Sequence, residues 1–205
     1  MKRNDVVNKI NSLNGENGHK WVVDTYNSMD KLPRSYKLKM SDAWCAGTVT
    51  AVLHSLGYDD IAECSCPKMI TKAQKKGIWV ENDAYRPLIG DIIFYDWQDN
   101  GVGDNQGEAD HVGIVIGVSG STNLITVREG NKSGTIGNRI LSINGRYIRG
   151  FVTPPYESEE DIHKYKTITD IVDAIINGEF GNGENRKNNL YNYFQELVNN
   201  KLSKK

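Results

Sequence analysis

Apolar residues recur along this chain with two different periods, and the change from one to the other organises it. Near the start, Val6, Ile10 and Leu13 fall on one helical face, Asn14-Gly15 interrupts the run, and Val22, Tyr26 and Met29 resume it ahead of Pro33. A further helix is predicted over 44–56, where Val49, Val52, Leu53 and Leu56 share a face, with Ser41 or Asp42 as the expected N-cap and Gly57 as the stop. From Gly90 onward the spacing turns strand-like. Residues 92–97 are rich in aromatic and branched side chains. Residues 111–118 and 123–128 flank the turn segment Ser119-Gly120-Ser121-Thr122, which predicts a hairpin. A second hairpin is expected where 139–143 turns at Asn144-Gly145 into 146–152. Helices first and strands second predict an α+β domain with a mostly antiparallel sheet, covering 1–156 and ending near Pro154-Pro155-Tyr156.

The pattern then changes character. Glu157-Ser158-Glu159-Glu160-Asp161 opens an acidic connector, 157–166, and beyond it Ile168, Ile171, Val172, Ile175 and Ile176 form a helical stripe opened by Thr167 with Asp170 three residues later. Gly178 ends that helix, 181–187 is a glycine-rich turn, and Leu190, Tyr191, Phe194, Leu197 and Val198 predict a second amphipathic helix. This unit, 167–205, is near the ~40 residues below which a chain rarely folds unaided, so it is expected to lean on its neighbour.

Composition narrows the function classes. The 205 residues include 25 Lys and Arg against 26 Asp and Glu, a formal net charge of −1, so no basic excess is present to neutralise a phosphate backbone and nucleic acid is not expected as a partner. The start, Met1-Lys2-Arg3-Asn4-Asp5, lacks the apolar run of a signal peptide, and no stretch suits membrane insertion, so synthesis in the cytoplasm is expected. Three cysteines, Cys45, Cys64 and Cys66, leave at least one free thiol.

Cys45 is the candidate nucleophile. It lies in the first turn of the predicted helix, where the helix dipole favours thiolate, the attacking species. It also stands four residues before Val49 on the apolar face, which suits a buried structural cysteine equally. The first hairpin supplies partners. A register with His111 across from Glu129, or one with His111 across from Asn131, puts all three side chains on one face; a register displaced by one residue separates them. A nucleophile, a base and an orienting acceptor would then be present together.

Four segments, Asp42-Ala43-Trp44-Cys45-Ala46, Gly90-Asp91-Ile92-Ile93-Phe94-Tyr95-Asp96-Trp97, Asp110-His111-Val112-Gly113-Ile114-Val115 and Glu129-Gly130-Asn131, resemble the successive motifs of CHAP domains. These are cysteine, histidine-dependent amidohydrolases/peptidases that cut bacterial peptidoglycan. The resemblance implies a papain-like fold in which Cys45 attacks an amide carbonyl, His111 activates the thiol and then protonates the leaving amine, and Glu129 orients the imidazole. Asn131 matches the family's fourth polar position, and the Cys45 backbone N–H is the natural oxyanion donor. Trp44 and Trp97 are candidates for stacking on a sugar or peptide stem, the alternative being core packing, and Asp110 is expected at the cleft beside His111.

No cofactor or metal is expected. The acidic calcium loop that some CHAP domains carry before the cysteine is replaced here by a basic and apolar segment, 36–40. The acidic stretch 96–110 lacks EF-hand spacing and is expected to be a solvated loop. Cys64 and Cys66, weighed as zinc ligands with His54, lack the usual spacing and are expected to be buried or idle thiols.

Near the C-terminus, Gly181-Asn182-Gly183-Glu184-Asn185-Arg186 resembles the core of the small cell-wall-binding repeat called the CW-seven motif, in a single copy with a shortened final link. It implies wall binding through Gly181, Gly183 and Arg186, whose guanidinium offers a two-pronged donor to a muropeptide carboxylate or carbonyl. Together the two resemblances imply a phage endolysin that acts on bacterial peptidoglycan after release from the host cytoplasm. The expected activity is N-acetylmuramoyl-L-alanine amidase, with a peptidoglycan endopeptidase or a non-catalytic wall-binding protein as the alternatives.

Overall fold

In the computed structural model the described residues are 1–82, 84–98, 107–119, 122–156 and 167–202. The predicted connector 157–166, the middle of the acidic stretch at 99–106 and the hairpin tip at 120–121 lie outside them. The first helices form on the predicted stripes: α1 (Arg3–Ser12) buries Val6 and Ile10, and α2 (Gly15–Asn27) buries Val22, Val23 and Tyr26. The helix carrying the candidate nucleophile, α3 (Cys45–His54), is enclosed on all sides, every residue from Cys45 to Leu53 being buried. Its start differs from expectation. Trp44 occupies the N-cap, while Asp42 closes its own turn by accepting from the Lys39 backbone N–H at 2.8 Å and the Tyr36 hydroxyl at 2.9 Å.

A helix that the apolar pattern did not predict follows, α4 (Cys66–Lys76). Its signals are local: Ser65 at the N-cap, Pro67 in the first turn where its missing N–H costs nothing, Met69, Ile70 and Ala73 on the buried face, and Gly77 in the left-handed conformation at the end.

The strands are β1 (Trp79–Val80), β2 (Ile92–Tyr95), β3 (His111–Val118), β4 (Leu124–Lys132), β5 (Thr135–Ser142) and β6 (Ile148–Val152). They form one sheet in the order β1-β6-β2-β3-β4-β5, antiparallel at each pairing. The first predicted hairpin, β3–β4, is present; the second is not. β5 begins at Thr135, turns back directly from β4 and takes the sheet edge, while β6 crosses to lie between β1 and β2. Burial explains the exchange. Ile148, Phe151 and Val152 are fully enclosed and belong in the sheet interior, whereas β5 alternates between covered and exposed residues, as an edge strand can.

Two apolar layers result. Ile92, Phe94, Val112, Ile114 and Val152 pack with the helices α1–α4, and Ile93, Tyr95, Val115, Val127 and Phe151 form a second buried cluster. Buried Asp91 ties the chain start to the sheet, accepting from Arg3 at 2.7 Å, from the Tyr85 hydroxyl at 3.0 Å and from the Leu88 backbone at 2.9 Å. Arg128 joins the end of α1 to β4 by donating to the carbonyls of Ile10 and Leu13.

The C-terminal part forms α5 (Ile168–Ile176) and α6 (Gly183–Leu202). Thr167 and Asp170 make the expected reciprocal cap. The small core between the helices is Ala174, Phe180 and Tyr193, with Ile171, Ile175, Leu190 and Leu197 packed around it. Ile168, Val172 and Ile176, read as part of one apolar stripe, instead face outward. Among the described residues, Tyr191 packs against the second sheet cluster, and Arg86 reaches its hydroxyl at 3.3 Å.

Candidate active site

The site rests on an irregularity in the β3–β4 pairing. Near the turn Val118 faces Ile125 and Gly117 faces Thr126, but past Ile116 the pairs become Val115 with Val127 and Ile114 with Arg128. The bulge shifts the register by one residue. Continued along the strands, the new register puts Gly113 across from Glu129 and His111 across from Asn131, one of the two arrangements that unite the three side chains. Without the bulge, the turn-end register would have sent Glu129 and Asn131 to the opposite face.

Glycines make room for this geometry. A Cβ on Gly113 would stand 2.8 Å from the Glu129 Cγ, so its absence lets the Glu129 side chain pass toward His111. A Cβ on Gly130 would run into the Thr48 side chain of α3, so glycine there lets β4 approach α3 closely. Asn131 sits in a second bulge, between Glu129 and Lys132, with φ of 57°. This left-handed conformation is one Asn tolerates better than most residues, and it sets Asn131 into the cleft lining.

His111 and Glu129 meet as the register requires. The imidazole Nε2 lies 3.1 Å from the Glu129 Oε2, and the Glu129 side chain is fully buried. With Nε2 engaged by Glu129, Nδ1 is the ring nitrogen left for another partner, and Cys45 and His111 each shift the other's titration. Arg139, which the sequence reading did not single out, completes the row. It donates Nε–H to Glu129 Oε1 at 2.6 Å and a terminal N–H to Oε2 at 3.0 Å, while its guanidinium lies 4.8 Å from the centre of the Trp97 ring. The signal that could have found it was the turn sequence Lys132-Ser133-Gly134, which starts β5 at Thr135 and brings Arg139 diagonally across from Glu129.

The electrostatics follow from this row. Burial alone raises the Glu129 carboxyl, but hydrogen bonds from His111 and Arg139 overcome it and keep the group ionised. Burial also works against the imidazolium; the neighbouring Cys45 and Glu129 outweigh it and raise His111 to about 9. The Cys45 thiol is lowered to about 5, foremost by a hydrogen bond from Cys66, then against burial by His111 and the Ala46 backbone N–H. Between these values the low-energy form is a thiolate beside an imidazolium.

The remaining sequence candidates separate. Trp97 lines the cleft, a space of about 340 Å³ that also meets His111, Asn131, Lys132, Ser133 and Arg139; its ring stacks on Tyr95 at 4.9 Å. Trp44 does not line this cleft. It is buried and stacked on His19 at 3.9 Å, so the core alternative holds for it. Asp110, next to His111 in the chain, accepts from the Trp97 backbone N–H at 2.9 Å. The three residues weighed for zinc are differently engaged: His54 pairs with Asp59 at 2.8 Å, Cys64 accepts from Arg34 at 2.9 Å, and Cys66 faces Cys45. In the C-terminal unit, Gly181 and Gly183 take positive φ and open α6. Arg186 bends back on this turn, donating to the Gly181 carbonyl at 3.2 Å and to Asn182 Oδ1 at 3.1 Å.

Residues 35–131 match the CHAP domain and residues 169–202 match the CW_7 repeat. No curated protein and no solved structure matches the chain. The chain thus carries a CHAP domain, a hydrolytic unit of the peptidoglycan-cleaving amidase or peptidase kind, followed by a cell-wall-binding repeat.

Proposed function

We propose that this protein is an N-acetylmuramoyl-L-alanine amidase of the endolysin kind, with Cys45, His111 and Glu129 as its catalytic row and residues 167–205 as its wall-binding unit. The observation that carries the reading is the row itself: a lowered thiol at a helix start, an imidazole beside it, and a buried carboxylate 3.1 Å from the far ring nitrogen. In this reading the Cys45 thiolate attacks the amide carbonyl carbon, and the tetrahedral oxyanion is met by backbone N–H groups at the start of α3. Collapse breaks the C–N bond as the His111 imidazolium gives its proton to the leaving amine, which departs as the free N-terminus of the stem peptide. His111, now neutral, takes a proton from water; the hydroxide attacks the thioester carbonyl, releases the lactyl carboxylate and restores thiolate and imidazolium. Glu129 keeps the ring in place throughout, and Arg139 keeps Glu129 ionised. Trp97 and Asn131 line the approach.

Digestion of purified walls, followed by mass spectrometry of the soluble products, tests the bond. The expected result is stem peptides with a free N-terminal alanine and glycan strands of undiminished length. New amino termini within the stem or cross-bridge would replace the amidase reading by an endopeptidase using the same row. No soluble product from any susceptible wall would leave a wall-binding protein without turnover.

A further inference from the structure

The candidate nucleophile has a second thiol beside it. The sulfurs of Cys45 and Cys66 are 3.8 Å apart, both residues are buried, and each is the first residue of its helix, Cys45 of α3 and Cys66 of α4. Two helix starts therefore converge on one pair of sulfurs, an electropositive setting that favours one negative charge between them. A second negative charge at this distance would repel the first, so one sulfur is thiolate and the other keeps its proton. His111 decides which. Its ring interacts with Cys45, while Cys66 is held in the thiol form by its hydrogen bond with Cys45 and by burial, and in smaller part by the Asp110 carboxylate. Glu129 is linked to the pair through His111, and Arg139 through Glu129.

We infer that Cys66 is a positioning residue for the thiol reaction, its S–H donating a hydrogen bond to the Cys45 sulfur and so holding that sulfur as the thiolate. The inference rests on the reading of Cys45 as nucleophile and extends it to a residue outside the row. The donated bond weakens when the sulfur becomes a neutral thioester, so Cys66 favours thiolate both before attack and on deacylation. The unpredicted helix α4 gains a purpose by the same token: Ser65 and Pro67 fix its first turn, and that turn delivers Cys66 to the back of the site.

The test compares Cys66→Ser, which keeps a donor, with Cys66→Val, which fills the space without one. The full-length, phosphine-reduced protein is alkylated with iodoacetamide across pH 4 to 10, and peptide mass spectrometry reads Cys45 separately from Cys64. The native protein is expected to alkylate at Cys45 with a midpoint well below the ~8.5 of a free thiol. Cys66→Val should raise that midpoint by one pH unit or more, a tenfold loss of thiolate at the acid end, with the acid limb of wall hydrolysis moving by the same amount. Cys66→Ser should stay near the native midpoint. Cys66→Ala serves the same comparison if circular dichroism finds the valine variant unfolded. Equal midpoints in the donor and donor-less variants overturn the role of Cys66 while leaving Cys45 as nucleophile. An ordinary thiol midpoint in the native protein overturns the nucleophile reading itself.

Discussion

The sheet domain and the two C-terminal helices are built by different means. In the first, charged groups sit inside an extensive apolar interior: Glu129 and Asp91 are fully buried and Glu63 nearly so, each held by guanidinium or backbone donors. In the second, the enclosed residues among those described are Ala174, Phe180, Asn192 and Tyr193, while Ile168 and Ile176 remain 81% and 75% exposed. Local devices, a capping box and glycine turns, define those helices more than packing does. Acyl transfer needs a nucleophile and base fixed to a fraction of an ångström, which only a large close-packed interior supplies. Gripping a repetitive polymer tolerates a looser frame.

The sharpest way to break this comparison is to remove one function from each part. Cys45→Ala is expected to reduce turbidity clearance of a wall suspension to background while co-sedimentation with walls stays as in the native protein. Loss of residues 167–205 should do the reverse, lowering the sedimenting fraction while hydrolysis of soluble wall fragments persists. Retained clearance by Cys45→Ala would falsify the thiol mechanism, and unchanged sedimentation of the shortened chain would end the division of labour.

Glu129→Gln comes next in size. It keeps the shape but removes the charge that supports the imidazolium, and a fall in turnover on the order of a hundredfold or more is expected. Native activity should be bell-shaped: it falls below about 5 as Cys45 takes up a proton, and above about 9 as His111 loses the one it must donate. The glutamine variant should draw the alkaline limb down toward the ordinary histidine range. An unmoved alkaline limb would count against Glu129 as the partner of His111.

Arg139→Met leaves Glu129 with one of its two charged partners and takes away a donor pair. Hydrogen bonds to charged groups are worth about 1.5–3 kcal/mol, so kcat/KM should drop roughly tenfold to a hundredfold. Because the row itself remains, the dependence on Cys45 should persist, and a shallower loss than in Glu129→Gln is the outcome that orders the two residues. The smallest effect belongs to the other region. Thr167→Ala removes the cap of α5, at a cost of about 1 kcal/mol, and should loosen hydrogen exchange in 168–176 without altering Cys45 alkylation. A coupled change at Cys45 would show that the two regions are less separate than their cores suggest.

Much of the fold was legible where the signals were local. The stripes of α1, α2 and α3, the start of β3 at His111, and the cap at Thr167 stand where the residue pattern put them. Helix α4 was legible too, through Ser65, Pro67 and Gly77, but its short amphipathic face is easily passed over. The site was legible as residue types: thiol, imidazole, carboxylate and amide. Arg139 was not, because a strand begun four residues late hides the β4–β5 hairpin that carries it. Trp44 was open between the cleft and the core, and which of the two it joins depends on how the start of α3 packs: it turns inward onto His19.

What the sequence by itself determined is therefore the inventory and the local order: two helical patterns around a strand-rich middle, a cysteine at a helix start, and a histidine and a carboxylate on neighbouring strands. The tertiary structure decided which of these meet. The bulge at Ile116 selected the register that unites His111 with Glu129, the enclosed residues of β6 moved that strand into the sheet interior and left β5 at the edge, and the packing of α4 brought Cys66 to Cys45. The physical reason is that strand alternation and helix periodicity fix which side a residue faces only relative to its own element. Register, bulges and the docking of one element on another depend on the summed burial of many residues distant in sequence.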